Sequence, residues 1–332
     1  MYLQSKPMLE FPQPPKAYSQ VVLDDTDKPL PKRLDPNTRY AYFSTIAQGG
    51  KSLIKSCRDL HLSRVVCYKT LKPEFAKDEI EQRRLLREAR VSAMLQHPNT
   101  VPTYELGRDN RGNYYFTMKL VHGYTLREIL NYRDRYDLSQ LVDVLIQIGH
   151  ALDYAHNHGV VHRDIKPENI LVGPYGEVVL LDWGLAKVWS AAGGKEGQGL
   201  DESAQSHDTD LLSAADDAMM EGLTQGGQVQ GTVMYMSPEQ LARSPDIGAA
   251  TDLYSLAAVL YEVLTGHTPF AGEKVYEVVR QINEHEPLRP SARTNLPVPS
   301  LLEEVTMTCL RKDPGERFAD MGQMLRLLQE RW

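Results

Sequence analysis

The spacing of hydrophobic and polar residues predicts a small β-rich lobe in the first part of the chain. From residue 40, short runs of strand-forming residues follow one another, namely Tyr40–Ile46, Leu53–Arg58 and Val65–Leu71. A charged stretch from Asp78 to Gln96 is typical of a helix, and the following His97-Pro98 stops it because proline lacks a backbone N–H. Two more strand-like runs flank a turn at residues 109–112. The pattern indicates a mostly antiparallel sheet with one helix.

After Gly123 the pattern becomes helical. Apolar residues at i, i+3 and i+4 spacing predict an amphipathic helix that ends near Gly159. They are Leu141, Val144, Leu145, Ile148, Leu152 and Ala155. Further expected elements are a hairpin with strands at 169–172 and 177–181, and helices at about 252–265 and 318–332. We therefore expect a second, larger and mainly helical lobe.

Two segments depart from this regular pattern. Residues 1–38 contain seven prolines and little periodicity, so we interpret them as an extended, flexible arm. Residues 190–230 contain eight acidic residues against one lysine, and we interpret about 190–225 as a flexible acidic insert. The role of both segments is left open.

Composition narrows the possible functions. The 332 residues suffice for two lobes with sizeable cores, and the net charge of −7 argues against general binding of nucleic acid, which needs a basic surface. Three scattered cysteines fit neither a zinc site nor a disulfide framework and favour a reducing compartment. No apolar run approaches the ~18 residues of a membrane span, and no signal-peptide pattern begins the chain. We therefore expect a cytoplasmic protein.

One short stretch suggests a bound nucleotide. Gly50-Lys51-Ser52 matches the end of the phosphate-binding Walker pattern, but that pattern also needs a glycine at position 45, where this chain has Thr45. The parallel sheet that accompanies a Walker loop is not indicated either. A P-loop nucleoside triphosphatase is therefore disfavoured, and the triplet needs another explanation.

A second stretch supplies that explanation. The segment VVHRDIKPENILV contains His162-Arg163-Asp164, then Lys166 and Asn169, and Asp182-Trp183-Gly184 begins thirteen residues after Asn169. The sequence resembles the eukaryotic-type (Hanks-type) serine/threonine protein kinases, in a bacterial-like form, whose catalytic loop reads H-R-D-x-K-x-x-N and whose metal motif reads D-F-G. The resemblance implies an α+β, bilobal protein kinase fold over residues 39–332, with an N-lobe at 39–121 and a C-lobe at 122–332.

The resemblance also implies roles for these residues. Asp164 would accept the proton of the attacking hydroxyl, and Lys166 would neutralise the transferring phosphate. Asn169 and Asp182 would bind Mg²⁺, with Mn²⁺ as an alternative, since both cations prefer oxygen ligands. Lys69 in RVVCYKTL would contact the ATP phosphates, and Glu88 would be its ion-pair partner. Glu88 could instead pair along its own helix, for example with Arg84.

The same resemblance places the Gly50-Lys51-Ser52 triplet in the glycine-rich loop of the kinases. In IAQGGKSLI only Gly49 of the three loop glycines remains, and Ala47 and Ser52 occupy the outer two positions. Lys51 would meet phosphates or face solvent. The residues implied to bind ATP are Ile46, Ala47, Gly49, Gly50, Ser52, Ile54, Cys67, Lys69, Met118, Leu120, Asn169 and Asp182. This altered loop is the feature most apt to weaken ATP binding.

Further positions match the segment that positions and regulates a protein substrate. Thr232 in GTVMYMSPEQ falls at the substrate-facing threonine, and Glu239 should pair with the buried Arg317. Asp252 matches a helix-cap aspartate that braces the catalytic loop. Arg163 would bind a phosphorylated activation loop, and the candidate phosphorylation sites are first Thr224 and then Thr232.

The sequence thus predicts an ATP-dependent kinase that acts on protein serine and threonine hydroxyls and phosphorylates its own activation loop. Lys166 favours serine/threonine over tyrosine specificity in the family. One alternative is a pseudokinase that binds nucleotide or partners without transfer. Another is a small-molecule kinase of the antibiotic-phosphotransferase type, which typically has H-G-D in place of H-R-D. The natural substrate, the upstream signal and the oligomeric state are not readable from the sequence.

Overall fold

The computed structural model describes residues 29, 38–188, 231–244 and 247–330. Their contacts divide the chain into two compact units. The β-rich unit contains the described residues up to 96 together with Thr100–Gly123, and the helical unit contains His97–Asn99 and the described residues from Tyr124 onward. The change of unit at Gly123 lies close to the expected lobe boundary.

The β-rich unit is built on a five-stranded antiparallel sheet in the order β1-β2-β3-β5-β4. Its strands are β1 Tyr40–Gln48, β2 Ser52–Asp59, β3 Arg64–Leu71, β4 Thr103–Arg108 and β5 Tyr114–Met118, and its helix is α1 Glu79–Met94. The predicted sheet with one helix is therefore confirmed. Asp78 begins α1, since its side chain accepts hydrogen bonds from the backbone N–H of Ile80 and Glu81.

The two faces of this sheet carry different side chains because successive residues of a strand point to opposite sides. On one face Tyr68 and Tyr115 pack with Cys57 and Val66. On the other face Phe116 packs with Leu85 and Ala89 of α1. Lys69, between Tyr68 and Thr70, is paired in register with Phe116 and shares the α1 side. The alternation therefore places the predicted ATP-contacting lysine beside the helix.

The helical unit begins with two short sheets and two helices. In chain order these elements are β6 Tyr124–Thr125, α2 Leu126–Leu130, α3 Leu138–Asn157, β7 Val160–Val161, β8 Ile170–Val172, β9 Val178–Leu180 and β10 Lys187–Val188. Strands β6, β8 and β9 form one sheet, and β10 pairs with β7. The predicted hairpin is confirmed but is shorter than expected, because Asn169 closes the 3-10 turn Pro167–Asn169 instead of beginning the strand.

Six further described helices complete the unit: α4 Pro238–Leu241, α5 Ala249–Thr265, α6 Val275–Glu284, α7 Pro290–Arg293, α8 Ser300–Cys309 and α9 Met321–Gln329. Helix α5 is buried from Thr251 to Thr265 and is the centre of the unit. It ends at Gly266, whose φ of 76° suits glycine. It begins at Ala249, so Asp252 lies in the first turn and not at the cap, which corrects the expectation from the sequence.

Among the described residues, no helix combines the length and the apolar character that a membrane crossing requires. The three cysteines are free and buried.

A buried ion pair joins distant parts of the helical unit, as the sequence predicts. Arg317 Nη1 and Nη2 donate to Glu239 Oε1 and Oε2 at 2.7 and 2.8 Å, and the two residues are only 5% and 9% exposed. Arg317 also donates to three backbone carbonyl oxygens, those of Ala250, Arg311 and Lys312. Burial raises the pKa of Glu239, but the hydrogen bonds and charge of Arg317 outweigh burial and hold that pKa below its usual value.

We expect Arg317→Met to lower the free energy of unfolding by about 3–5 kcal/mol, because it leaves the Glu239 charge buried without its cationic partner. Arg311→Met is the matched control, since its exposed pair with Glu316 should contribute less than about 1 kcal/mol. Chemical denaturation of both variants measures the difference. Equal losses in the two variants would contradict the account.

Candidate active site

Two of the predicted site residues, Lys166 and Asn169, contact the carboxylate of Asp164 in the helical unit. Lys166 Nζ donates to both Asp164 carboxylate oxygens at 2.8 Å. Asn169 Nδ2 donates to Asp164 Oδ2 at 2.9 Å and to its backbone oxygen at 2.8 Å. Asp164 is only 8% exposed. The loop between β7 and the turn Pro167–Asn169 thus presents an acid, a cation and an amide at one point.

Lys166 reaches a second predicted residue. Its Nζ also donates to Thr232 Oγ1 at 3.0 Å, and Thr232 lies in the 3-10 turn Gly231–Tyr235. A single ammonium group therefore contacts both the Asp164 carboxylate and the hydroxyl of the threonine predicted to face the substrate. Lys166 is therefore positioned to contact a substrate group that lies between Asp164 and Thr232.

Burial sets the basicity of Asp164. It raises the pKa of this carboxyl above its usual value, Lys166 lowers it, and the negative charge of Asp182 raises it again. A carboxylate with a raised pKa accepts a proton more readily than an exposed aspartate. The environment therefore suits a proton acceptor.

The backbone of the loop is held by a second buried carboxylate, that of Asp252 in α5. Asp252 Oδ2 accepts from the backbone N–H of His162 at 2.8 Å, and Oδ1 accepts from that of Arg163 at 2.9 Å. Arg163 has a φ of 71°, a left-handed conformation that is unfavourable for a residue with a side chain. The predicted bracing role of Asp252 is thus visible as one hydrogen bond at the strained Arg163 and one at the preceding His162.

Two bracing residues escaped the sequence analysis. His156 Nε2 lies 2.8 Å from Asp252 Oδ2, and Gln240 Nε2 donates to the backbone oxygen of Arg163 at 2.7 Å. Burial raises the pKa of Asp252, but His156 outweighs burial and keeps it low. The sequence signal was the histidine in the last turn of α3, six residues before His162. The sequence alone does not show that this histidine contacts Asp252, because the two residues are 96 positions apart in the chain.

The ring of His162 links the loop to the predicted metal motif. Its Nδ1 accepts from the backbone N–H of Asp164 at 3.2 Å, which leaves Nε2 to donate to the Leu181 backbone oxygen at 3.0 Å. The same ring meets Trp183 edge-on, with 4.6 Å between ring centres. Trp183 is only 1% exposed, so its ring is buried at the position of the phenylalanine in the D-F-G motif.

The predicted metal ligands, Asn169 and Asp182, both belong to this part of the unit. The backbone oxygen of Asn169 accepts from Leu181 N–H at 2.8 Å, which fixes the loop against the residue before Asp182. Asn169 uses its amide nitrogen for Asp164, and its amide oxygen is the atom that a metal would take. No group of three or more His, Cys, Asp or Glu suited to a metal occurs in the described part of the chain. An amide and a carboxylate oxygen suit a hard cation that keeps waters and phosphate oxygens as its other ligands.

In the β-rich unit, Lys69 and Glu88 form the predicted pair. Lys69 Nζ lies 2.5 Å from Glu88 Oε1, and the side chains are 8% and 9% exposed. Arg84 forms an ion pair with Glu81 at 2.8 Å. The pair of Lys69 and Glu88 that the resemblance implies is therefore present.

The glycine-rich loop is the tip of the β1–β2 hairpin, where Gly49 N–H donates to Ser52 O at 3.0 Å and Ala47 is in register with Ile54. A Cβ on Gly49 would lie 2.9 Å from Ser52 Oγ, so a larger residue at this position would require the Ser52 side chain to rotate. Lys51 does not simply face solvent, because its Nζ lies 2.6 Å from Glu81 Oε1 in the first turn of α1. The tip of the hairpin is thus tied to the helix.

Three of the remaining predicted nucleotide residues lie on β3 and at the end of β5. Met118 is in register with Cys67, and Leu120 follows the strand. Burial raises the pKa of the Cys67 thiol to about 12, so this thiol is unreactive at neutral pH. Ile46 at the edge strand β1 is 45% exposed. Thr224, the predicted phosphorylation site, lies outside the described residues.

Comparison with known proteins agrees with this geometry. A family model described as "protein kinase domain" matches residues 40–332. A probable serine/threonine-protein kinase of Corynebacterium efficiens is 34% identical over 292 residues, which are 86% of this chain and 40% of that protein. The serine/threonine-protein kinase PknB of Mycolicibacterium smegmatis is 32% identical over 289 residues, 86% of this chain and 42% of its own length.

This chain therefore spans about 40% of the length of these relatives. The match nevertheless covers the whole of both described units from residue 40, and Lys166 and Asn169 of the H-R-D-x-K-x-x-N motif both contact the Asp164 carboxylate. The chain belongs to the protein kinase domain family, and it is similar to bacterial serine/threonine members of that family.

Proposed function

We propose that this chain transfers the γ-phosphoryl group of ATP to serine and threonine hydroxyls of proteins. The observation that carries the proposal is the buried Asp164 carboxylate, which is contacted by Lys166 and Asn169 and whose pKa burial raises. The family membership and the bacterial relatives support it. We also propose that the protein is cytoplasmic, as the cysteine content suggests.

The chain's own residues account for the proton and the charge. The substrate hydroxyl gives its proton to Asp164 as its oxygen forms a bond to the γ-phosphorus. The bond from phosphorus to the bridging oxygen breaks, and ADP leaves with that electron pair. Lys166 offers its ammonium group to the phosphoryl oxygens, whose charge is spread in the transition state. The contact from Lys166 to Thr232 supports a site in which the same ammonium group also positions the incoming hydroxyl.

Members of the family use ATP and a divalent metal ion. We propose Mg²⁺, with Mn²⁺ as a substitute, held by the amide oxygen of Asn169 and the carboxylate of Asp182. When bound, the metal neutralises phosphate charge. In the β-rich unit we propose that Lys69, oriented by Glu88, contacts the α- and β-phosphates. The predicted contacts for the rest of the nucleotide remain Ile46, Ala47, Gly49, Gly50, Ser52 and Ile54 of the hairpin, with Cys67, Met118 and Leu120.

We expect Asp164→Asn to lower phosphoryl transfer at least ~10²-fold, because asparagine keeps the shape but cannot accept the proton. Incorporation of labelled phosphate from ATP into a mixture of generic protein substrates measures it. Asp134→Asn, an exposed change of the same kind, is the control and should keep full activity. Unfolding of each variant followed by circular dichroism verifies that the fold persists.

The same assay separates the kinase from the pseudokinase. A wild-type chain that binds ATP but incorporates no label, with either metal, would contradict the proposal and favour the pseudokinase. No observation on the described residues favours that alternative.

We further propose that the chain phosphorylates its own activation loop at Thr224. Arg163 supports this, since it precedes the catalytic aspartate and a guanidinium group pairs well with phosphate. Its backbone is fixed on both sides, by Asp252 at its N–H and by Gln240 at its carbonyl oxygen. A backbone fixed in this way gives the Arg163 guanidinium group a defined position from which to pair with a phosphate on the activation loop.

We expect Thr224→Ala to lower activity toward added protein substrate severalfold and to remove a major site of self-incorporated phosphate. Ser213→Ala, in the same acidic segment, is the matched control and should leave both quantities unchanged. Mass spectrometry of the autophosphorylated chain, together with the activity assay, measures them. Equal activity of Thr224→Ala and wild type would refute this part of the proposal.

A further inference from the structure

The outer face of the sheet, opposite α1, carries an aromatic groove that catalysis does not use. The groove has a volume of about 300 Å³. Its floor is formed by Tyr68 and Tyr115, whose rings stack with 4.5 Å between centres. Tyr40 and Phe43 of β1 form one wall, and both rings meet Tyr68 edge-on. Phe43 is 48% exposed, so the wall presents apolar surface to the outside.

The rim of this groove is basic. Lys55, Arg108 and Arg111 line it. Asp109 also lines it, but its carboxylate is engaged in its own turn, where it accepts from the backbone N–H of Arg111 and Asn113 at 2.9 Å. Lys55 Nζ lies 5.8 Å from the centre of the Phe43 ring. The groove therefore suits a ligand that combines apolar rings with a negative charge.

The chain itself contains such a sequence outside the described residues. Glu10-Phe11-Pro12-Gln13-Pro14-Pro15 places three prolines and an aromatic ring directly after a carboxylate. It precedes residue 40, where the family match begins, so it is a feature of this chain and not of the matched domain. Proline-rich segments dock into aromatic-lined grooves because proline fixes φ, and little conformational entropy is lost on binding.

We propose that residues 10–15 dock into this groove of their own chain. The prolines pack on the rings of Phe43, Tyr68 and Tyr115, and Glu10 faces the basic rim. The geometry allows it, since the arm ends at Thr38, two residues before Tyr40 of the groove wall. Pro15 lies 23 residues before Thr38, and a flexible chain of that length has a mean span of roughly 25 Å.

Because the segment is covalently linked to the sheet, a weak intrinsic affinity is sufficient for it to occupy the groove. A segment held by a short flexible linker has an effective concentration of about 1 mM. If the free segment binds with a Kd of ~100 μM, the tethered segment fills the groove about nine-tenths of the time. A peptide added from outside must compete with it and binds about tenfold more weakly.

The test titrates a synthetic peptide of residues 8–18 into the full chain, with binding measured by isothermal titration calorimetry. The triple variant Pro12→Ala, Pro14→Ala, Pro15→Ala empties the groove and should bind the peptide about tenfold more tightly than the wild type. A peptide with alanine at the three proline positions is the control and should not bind. Adding Phe43→Ser to the triple variant should abolish binding, and Phe43 is exposed enough for the fold to survive this change.

Three results would overturn the proposal. Equal affinity of the peptide for wild type and triple variant would show that the arm does not occupy the groove. Binding that persists after Phe43→Ser would place the peptide elsewhere. A wild-type dimer in sedimentation that becomes a monomer in the triple variant would show that the arm docks on a second copy.

Discussion

The buried carboxylate of Asp252 is the contact on which the catalytic geometry depends. It lies in the first turn of helix α5, which is buried from Thr251 to Thr265, and it accepts hydrogen bonds from the backbone N–H groups of His162 and Arg163. Those hydrogen bonds hold Arg163 in a left-handed conformation, and the next residue is Asp164. Without them the loop would relax toward an ordinary backbone and move the Asp164 carboxylate away from Lys166 and Asn169. The helix thus sets the position of the predicted base through the backbone, not through a side-chain contact.

Buried charge is used in the same way elsewhere in the protein. Arg317 and Glu239 hold the segment after Thr232, and Lys69 and Glu88 join β3 to α1. Such pairs contribute little net stability, since desolvation costs about as much as attraction returns, but removing one partner is costly. Their effect is therefore to fix positions. The positions of the predicted site residues depend on a few charged contacts. Loss of one of these contacts displaces a functional side chain in addition to lowering stability.

Much of the fold and site follows from the sequence because the signals are local. Alternation in β3 and β5 places Lys69 on the α1 face, and the resemblance of the H-R-D-x-K-x-x-N stretch to the kinase catalytic loop implies that Asp164, Lys166 and Asn169 act together. Contacts between residues far apart in the chain carry no such signal. The pairing of Lys51 with Glu81, the histidine behind Asp252 and the hydrogen bond from Gln240 to Arg163 appear only when the elements pack. Helix α6 is not predicted by the sequence analysis, and only Val278 and Ile282 are buried in it.

The central claim is that Asp252 positions the base through the backbone of residues 162 and 163. Asp252→Asn tests it directly, because asparagine offers one acceptor oxygen where the loop needs two. Hydrogen exchange should accelerate at the His162 and Arg163 amides by at least about tenfold, which corresponds to one lost hydrogen bond of about 1.4 kcal/mol. Phosphoryl transfer should fall in the same variant while the amides of α9 stay protected. Unchanged exchange at both amides together with wild-type transfer would contradict the account.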